Sequence, residues 1–181
     1  MGKKILYFEY IVSLLVQWYE QECPVLKGKA LSSFTRLKAL KLLFLVTAVD
    51  ASPKAEEDGL LNIFDNFYAM QHGPVESDIY DAMVHHKTSV YEFEGTRTIK
   101  KEVDSDPFLG IDEQEKMMLE GSVESLKKKN PNLITYKPFD LVDVTHKWSS
   151  WQVAYKVAQF IGKGSERMSI ESIKQDNKYF S

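Results

Sequence analysis

Apolar and polar positions recur along this chain mainly with the period of an α-helix. From Lys3 to Glu22, residues Ile5, Phe8, Val12, Leu15, Val16 and Tyr19 fall at the three- and four-residue spacing that lays them on one helical face. Leu6, Tyr10, Leu14 and Trp18 widen that face, so this helix should be well covered, and Pro24 and Gly28 end it. Ser33 or Thr35 is placed to cap a second helix running to about Val49. In it Leu37, Leu40, Leu43, Phe44, Leu45 and Val46 leave almost no polar side beyond Arg36, Lys38 and Lys41. A helix that is apolar all round belongs at the centre of a fold. Its three basic residues are expected to mark where it meets water.

A polar loop follows, Asp50 to Lys54 and then Glu56, Glu57, Asp58 and Gly59. Beyond it Phe67, Ala69 and Gln71 alternate with Tyr68, Met70 and His72, the period of an extended segment. Gly73 permits φ > 0, and Pro74 suits the first turn of a helix. Behind them Val75, Ile79, Tyr80, Met83 and Val84 share one helical face. The pattern predicts an extended piece that turns sharply into a helix at Gly73-Pro74 and runs to about His86.

Residues 89–93 and 96–103, joined by Glu94-Gly95, read as a small β-hairpin. Asp104 to Pro107 breaks the chain, and Asp112 with Glu115 makes a capping box. The helix behind it turns Met118, Leu119, Val123 and Leu126 inward and ends on Lys127, Lys128 and Lys129, which suit its C-terminal dipole. Asn130-Pro131-Asn132 stops it. A short helix from Pro138 to about Lys147 carries Phe139, Leu141, Val142 and Thr145. Ser149 or Ser150 caps another, with Trp151, Ala154, Tyr155, Ala158 and Ile161, which ends at Gly162 or Gly164. Ile170, Ile173 and Phe180 give a helical tail over residues 165–181. The sum is a mainly α fold: one domain over 1–181, a helical bundle around a central apolar helix, with a small antiparallel β element.

Composition narrows the class. A chain of 181 residues with 44% hydrophobic content can bury a core without staples. Net charge is −3, which argues against a protein whose main work is gripping nucleic acid. Cys23 is the sole cysteine, so no internal disulfide forms and a reducing compartment fits. Glu9 interrupts the apolar run after Met1-Gly2-Lys3-Lys4-Ile5, which argues against a signal peptide. The apolar stretch from Leu42 to Val49 is too short to span a bilayer. A cytoplasmic protein is expected.

Candidate chemistry is sparse. His85 and His86 are adjacent and diverge on a helix, while His72, His146 and Cys23 are scattered, so no metal site is expected. There is no Gly-x-Ser-x-Gly elbow, phosphate loop or dinucleotide fingerprint. Gly162-Lys163-Gly164-Ser165 follows a helix and reads as its stop. Asp140 and Asp143 lie near a helix start, where carboxylates favour the dipole. The stretch Thr145-His146-Lys147-Trp148-Ser149-Ser150-Trp151 places a histidine and two tryptophans at a helix junction. Trp151 is expected to anchor the following helix, with His146 bonded to a neighbouring backbone group. A hydrolytic pairing of His146 with Asp143, one turn apart, is a weaker alternative. So is an exposed aromatic surface for a partner.

Four segments resemble one family. Leu37-Lys38-Ala39-Leu40-Lys41-Leu42-Leu43-Phe44 is similar to its apolar helix, and Phe67-Tyr68-Ala69-Met70-Gln71-His72-Gly73-Pro74-Val75 with Tyr80 to its Gly-Pro-Val signature. Asp112-Glu113-Gln114-Glu115-Lys116 resembles an acidic helix start, and Leu141-Val142-Asp143-Val144-Thr145-His146 with Trp151 its Thr-His ending. Over roughly residues 5–160 the chain resembles the Panacea domain, the SocA-like antitoxin family of phage-associated proteins. Tyr68, Met70 and Phe44 stand where that family often has an acidic residue, Trp and Tyr; the changes keep bulk and remove polar handles. The resemblance implies an antitoxin, without catalytic activity or cofactor, that neutralises a cognate toxin by direct protein–protein contact. One relative is a proteolytic adaptor, which adds a protease or chaperone to the expected partners; a homodimer is left open. A DNA-binding regulator is the alternative, although nucleic acid is not expected as the main partner. The residues that carry the signature, as scaffold or as partner contacts, are Phe67, Ala69, Gly73, Pro74, Val75, Tyr80, Thr145, His146 and Trp151.

Overall fold

The computed structural model describes residues 2–54 and 59–181, so the acidic run from Glu56 to Asp58 lies outside the described residues. The fold is mainly α, as the hydrophobic period predicts. Helix α1 (Gly2–Glu22) and helix α2 (Arg36–Ala48) open the chain. Thr35 caps α2 by accepting the Lys38 backbone N–H at 3.1 Å. Every residue of α2 from Lys38 to Ala48 is buried. The helix packs against α1 and the later helices α3 (Ser77–Val84), α4 (Glu113–Lys129) and α5 (Pro138–His146). Helices α6 (Ser149–Phe160) and α7 (Ile170–Gln175) close the chain. Among the described residues, no helix is long and apolar enough to cross a membrane.

The β structure is more extensive than its pattern suggests. Strand β1 (Phe67–Met70) pairs antiparallel with β2 (Gly73–Glu76) on one side and β5 (Glu166–Arg167) on the other. Strands β3 (Tyr91–Phe93) and β4 (Thr98–Lys100) form the expected hairpin. Two residues are far too short a run for β5 to show a period of two, which is why sequence reading gives no strand there.

The Gly73-Pro74 corner differs from expectation. Pro74 lies in a strand opposite Ala69, and the helix starts only at Ser77. Strand β2 is an edge strand, where a residue without N–H is tolerated. The helical start is supplied instead by Glu76, whose carboxylate accepts the Ile79 N–H at 2.8 Å. Ile79, Ala82 and Met83 face inward, whereas Tyr80 is exposed. The Asp112–Glu115 capping box is present. Met118 proves exposed rather than inward, and Phe139 and Ile161 are exposed as well. Trp148, not Ser149 or Ser150, is the N-cap of α6. The capping oxygens come from Asp176, which accepts Ser149 N–H at 3.0 Å and Ser150 N–H at 2.6 Å. Although burial works against it, these bonds hold the Asp176 carboxyl below its usual range.

Two of the three basic residues of α2 do not reach water. Lys38 and Lys41 are buried. Their aliphatic stems continue the apolar surface of the helix, and each ammonium finds a backbone carbonyl. Lys38 donates to Ile134 at 2.7 Å and stands 4.4 Å above the Tyr19 ring. Lys41 donates to the Pro74 carbonyl. Burial pushes Lys38 down to about 8 and Lys41 down to about 7.

Carboxylates inside the fold do the complementary work. Glu9 is buried on α1 and accepts three backbone N–H groups, Ser89 at 3.1 Å, Val90 at 2.7 Å and Tyr91 at 2.9 Å. It thereby fixes the entry of β3 to the first helix. Replacing Glu9 by Ala leaves those donors without a partner and is expected to lower stability by about 3 kcal/mol or more, read by urea denaturation. The lysines give a pH signature. Between about 7 and the ordinary lysine value, the unfolded chain holds more protons at Lys41 than the folded one, so stability rises with pH there. Lys41→Met should flatten that rise between neutral pH and pH about 9.5, measured by denaturant midpoints; an unaltered slope would show that Lys41 titrates normally.

Candidate functional site

Gln71 and His72 form the two-residue turn between β1 and β2, and most of the signature residues gather around it. Phe67 and Ala69 are fully buried on β1. Phe67 meets Phe44 edge to face at 5.4 Å, and Phe44 meets Trp148 at 4.9 Å. Phe44 itself is fully buried.

Gly73 closes the turn with φ +93°, a conformation L side chains rarely adopt. A Cβ there would stand 2.5 Å from Thr145 Oγ1 and 3.2 Å from Lys41 Nζ. Helix α5 therefore approaches the hairpin as closely as glycine permits. Thr145 turns its hydroxyl back to the Val142 carbonyl at 3.0 Å, so it packs against Gly73 with its hydrogen bond already made. Lys41 takes the Pro74 carbonyl from beneath. Trp151 Nε1 donates to the Met70 carbonyl at 3.0 Å. Three elements, α2, α5 and α6, thus hold one turn.

His146 stacks on Trp151 with ring centroids 3.8 Å apart and planes 9° from parallel, and Trp151 stacks in turn on Tyr155 at 5.2 Å. Burial, and after it the charge of Lys41, push the imidazole below its ordinary value, while Asp143 and the Gln71 backbone work the other way. Its Nε2 is buried and makes no hydrogen bond of ordinary geometry. Asp143 is exposed, and among the described residues no hydrogen bond joins it to His146. His146 thus lies flat on the Trp151 indole, and Asp143 acts on it through its charge.

An open groove of about 470 Å³ runs beside the turn, lined by Leu37, Leu40, Met70, Val75 and Tyr80 among others. Arg36 lies at its edge and donates to the Phe93 carbonyl at 2.9 Å. Of the nine signature residues, Tyr80 is exposed and His146 half-buried; the other seven are buried. The signature is chiefly a piece of interior that props the turn from below.

Metal chemistry has one candidate cluster among the described residues, Asp65, Glu76 and Asp78. Lys4 Nζ already lies 2.9, 2.9 and 2.6 Å from their oxygens, so an ammonium stands where a cation would. Sequence reading missed this cluster because its members come from the loop before β1, the end of β2 and the start of α3, and Lys4 reaches them from α1. Lys41 carried a signal of its own, an amine on a helix that leaves almost no polar side, but it read as the edge that meets water. The burial of Lys38 and Lys41 also removes Arg36, Lys38 and Lys41 as a basic face for nucleic acid.

The family of SocA-like antitoxins, Panacea domain, matches residues 40–152. That span is more than half of the chain. It runs from within α2 to the first turn of α6 and contains all nine signature residues, with Lys41, Gly73 and Thr145 at their centre. Comparison with curated proteins and with solved structures gave no significant match. The chain belongs to the SocA-like antitoxin family and carries its Panacea domain.

Proposed function

We propose that this chain is an antitoxin that holds a cognate toxin inactive by direct protein–protein contact. Membership of the SocA-like antitoxin family over residues 40–152 carries the reading. The geometry around the turn supports it. Its residues are spent on packing and on backbone hydrogen bonds, and His146 is stacked rather than poised. Such a site suits a rigid scaffold that presents surface to a partner, since preorganised surfaces bind with little ordering cost. The protein would act in the cytoplasm, without catalysis or cofactor, and a protease or chaperone could then engage the pair.

Co-expression with the product of the adjacent gene tests this directly. That product alone should arrest growth, this chain should restore it, and the two should co-purify. An adjacent product that is harmless, or that stays toxic in the presence of this chain, overturns the reading. His146→Ala should keep full neutralisation; loss of protection at unchanged thermal stability would point to chemistry at His146 instead. Gly73→Val is expected to destabilise by about 3 kcal/mol or more, from positive φ and from the contact with Thr145. Neutralisation should fall with the melting temperature. An unchanged melting temperature would remove the structural account of the turn.

A further inference from the structure

Four elements and two loops meet around the groove beside the Gln71-His72 turn. Its apolar wall comes from Leu37 and Leu40 of α2, Met70 of β1, Val75 of β2 and Tyr80 of α3. Gly95 of the β3–β4 loop and Gly164 of the loop after α6 lie at its rim. At about 470 Å³ it has the size of a small-molecule site, for which an apolar lining with a few placed polar groups is usual.

The charge at this groove is of one sign. Among the described residues, Arg36 is the only lysine, arginine, aspartate or glutamate that lines it. One of its terminal nitrogens donates to the Phe93 carbonyl at 2.9 Å, while its Nε is enclosed without a hydrogen bond. Among the described residues no carboxylate pairs with it. Arg36 is also the first residue of α2, and the first turn of that helix has no acidic side chain. The positive end of the helix dipole therefore adds to the guanidinium. The acidic residues that neighbour the lining in sequence are turned to other cations. Glu76 and Asp78 lie 2.9 and 2.6 Å from Lys4, Asp81 lies 2.7 Å from Lys87, and Glu94 lies 2.7 Å from Arg97. Glu166 lines a separate groove, between α6 and α7.

We infer that this groove binds a small amphipathic carboxylate, its aliphatic or aromatic body on Leu37, Leu40, Met70 and Val75 and its carboxylate at Arg36. The planar guanidinium matches a carboxylate in shape as well as in charge, and the remaining wall asks for carbon. An extended peptide fits worse, because its backbone groups need partners of their own. At the edge of β2, Pro74 has no N–H and its carbonyl is taken by Lys41, so strand addition there is blocked. The site belongs to the chain alone and does not rest on the antitoxin reading.

The test titrates the purified full chain with sodium octanoate and, in parallel, with octanol, followed by calorimetry and by amide chemical shifts. Octanoate should bind with a Kd of about 1 mM or tighter and about 10-fold more tightly than octanol. The amides of Leu37, Leu40, Val75 and Tyr80 should move. Arg36→Gln should abolish the preference for octanoate and leave octanol binding unchanged, a result that loss of packing alone would not give. Tyr80→Glu changes an exposed side chain, so its melting temperature should stay at the wild-type value. It should weaken octanoate binding about 10-fold or more by like-charge repulsion. If Arg36→Gln fails to fold, Tyr80→Glu decides: undiminished octanoate binding in it overturns the site. So do equal affinities for octanoate and octanol, shifts confined to another part of the chain, or no octanoate binding up to about 10 mM. Acetate that binds as tightly as octanoate would leave an anion at a helix end and no groove ligand. A short peptide ending in leucine that binds more tightly than octanoate would overturn the small-molecule occupant.

Discussion

The hydrogen bond from Lys41 to the Pro74 carbonyl ties the structure together. It joins the most buried helix to the edge strand of the three-stranded sheet, in a place that water does not reach. A buried backbone carbonyl without a partner is costly, and an edge strand normally satisfies such a group with solvent. Here the solvent's part is taken by an amine carried in on an apolar helix. Because that bond sets the height of β2, Gly73 comes to rest against Thr145, and the turn lies where Trp151 can reach Met70. Moving α2 outward would break the Lys41–Pro74 bond, and moving α6 outward would break the Trp151–Met70 bond.

The same device recurs in the other sign. Glu9 and Asp176 are buried carboxylates that accept backbone N–H groups from distant segments. Each ties a helix or strand start to an element far away in sequence. Short strands and short helices are weak by themselves, and this fold has several of both. Their ends are held by side chains that reach across the core, so local weakness is offset by long-range bonds to charged groups, which are among the stronger hydrogen bonds. The C-terminal segment is held likewise. Phe180 packs against Trp148, whose indole N–H donates to the Tyr179 carbonyl at 3.1 Å.

Much of this was legible in the sequence. The extent of α1 and α2, the Thr35 cap, the Asp112–Glu115 box and the β3–β4 hairpin follow from period and capping chemistry, which are local. What was not legible depends on distant partners. Pro74 after Gly73 reads as a helix start because the local φ preference is the same; only pairing with β1 makes it a strand. Lys38 and Lys41 read as a wet edge because their carbonyl partners, Ile134 and Pro74, lie far away in sequence. Ser149 and Ser150 read as caps because serine often is one; a carboxylate 26 residues later takes the role. The signature residues were found as a set, yet their burial, and hence their supporting role, came only from the packing around Gly73.

The dependence of α6 on Asp176, and of β1 on β5, has a consequence for synthesis of the chain. Strand β1 emerges from the ribosome long before Glu166 and Arg167, and the α6 N-terminus emerges before its cap. Strand β1 cannot reach its final state until Glu166 and Arg167 have left the exit tunnel, nor can the α6 start until Asp176 has. The start of α6 is therefore set in place only after α7 has been made. A nascent chain stalled before Asp176 would carry the Panacea core without a properly seated sixth helix. Seating of the sixth helix then waits on synthesis of Asp176, 26 residues beyond Ser150.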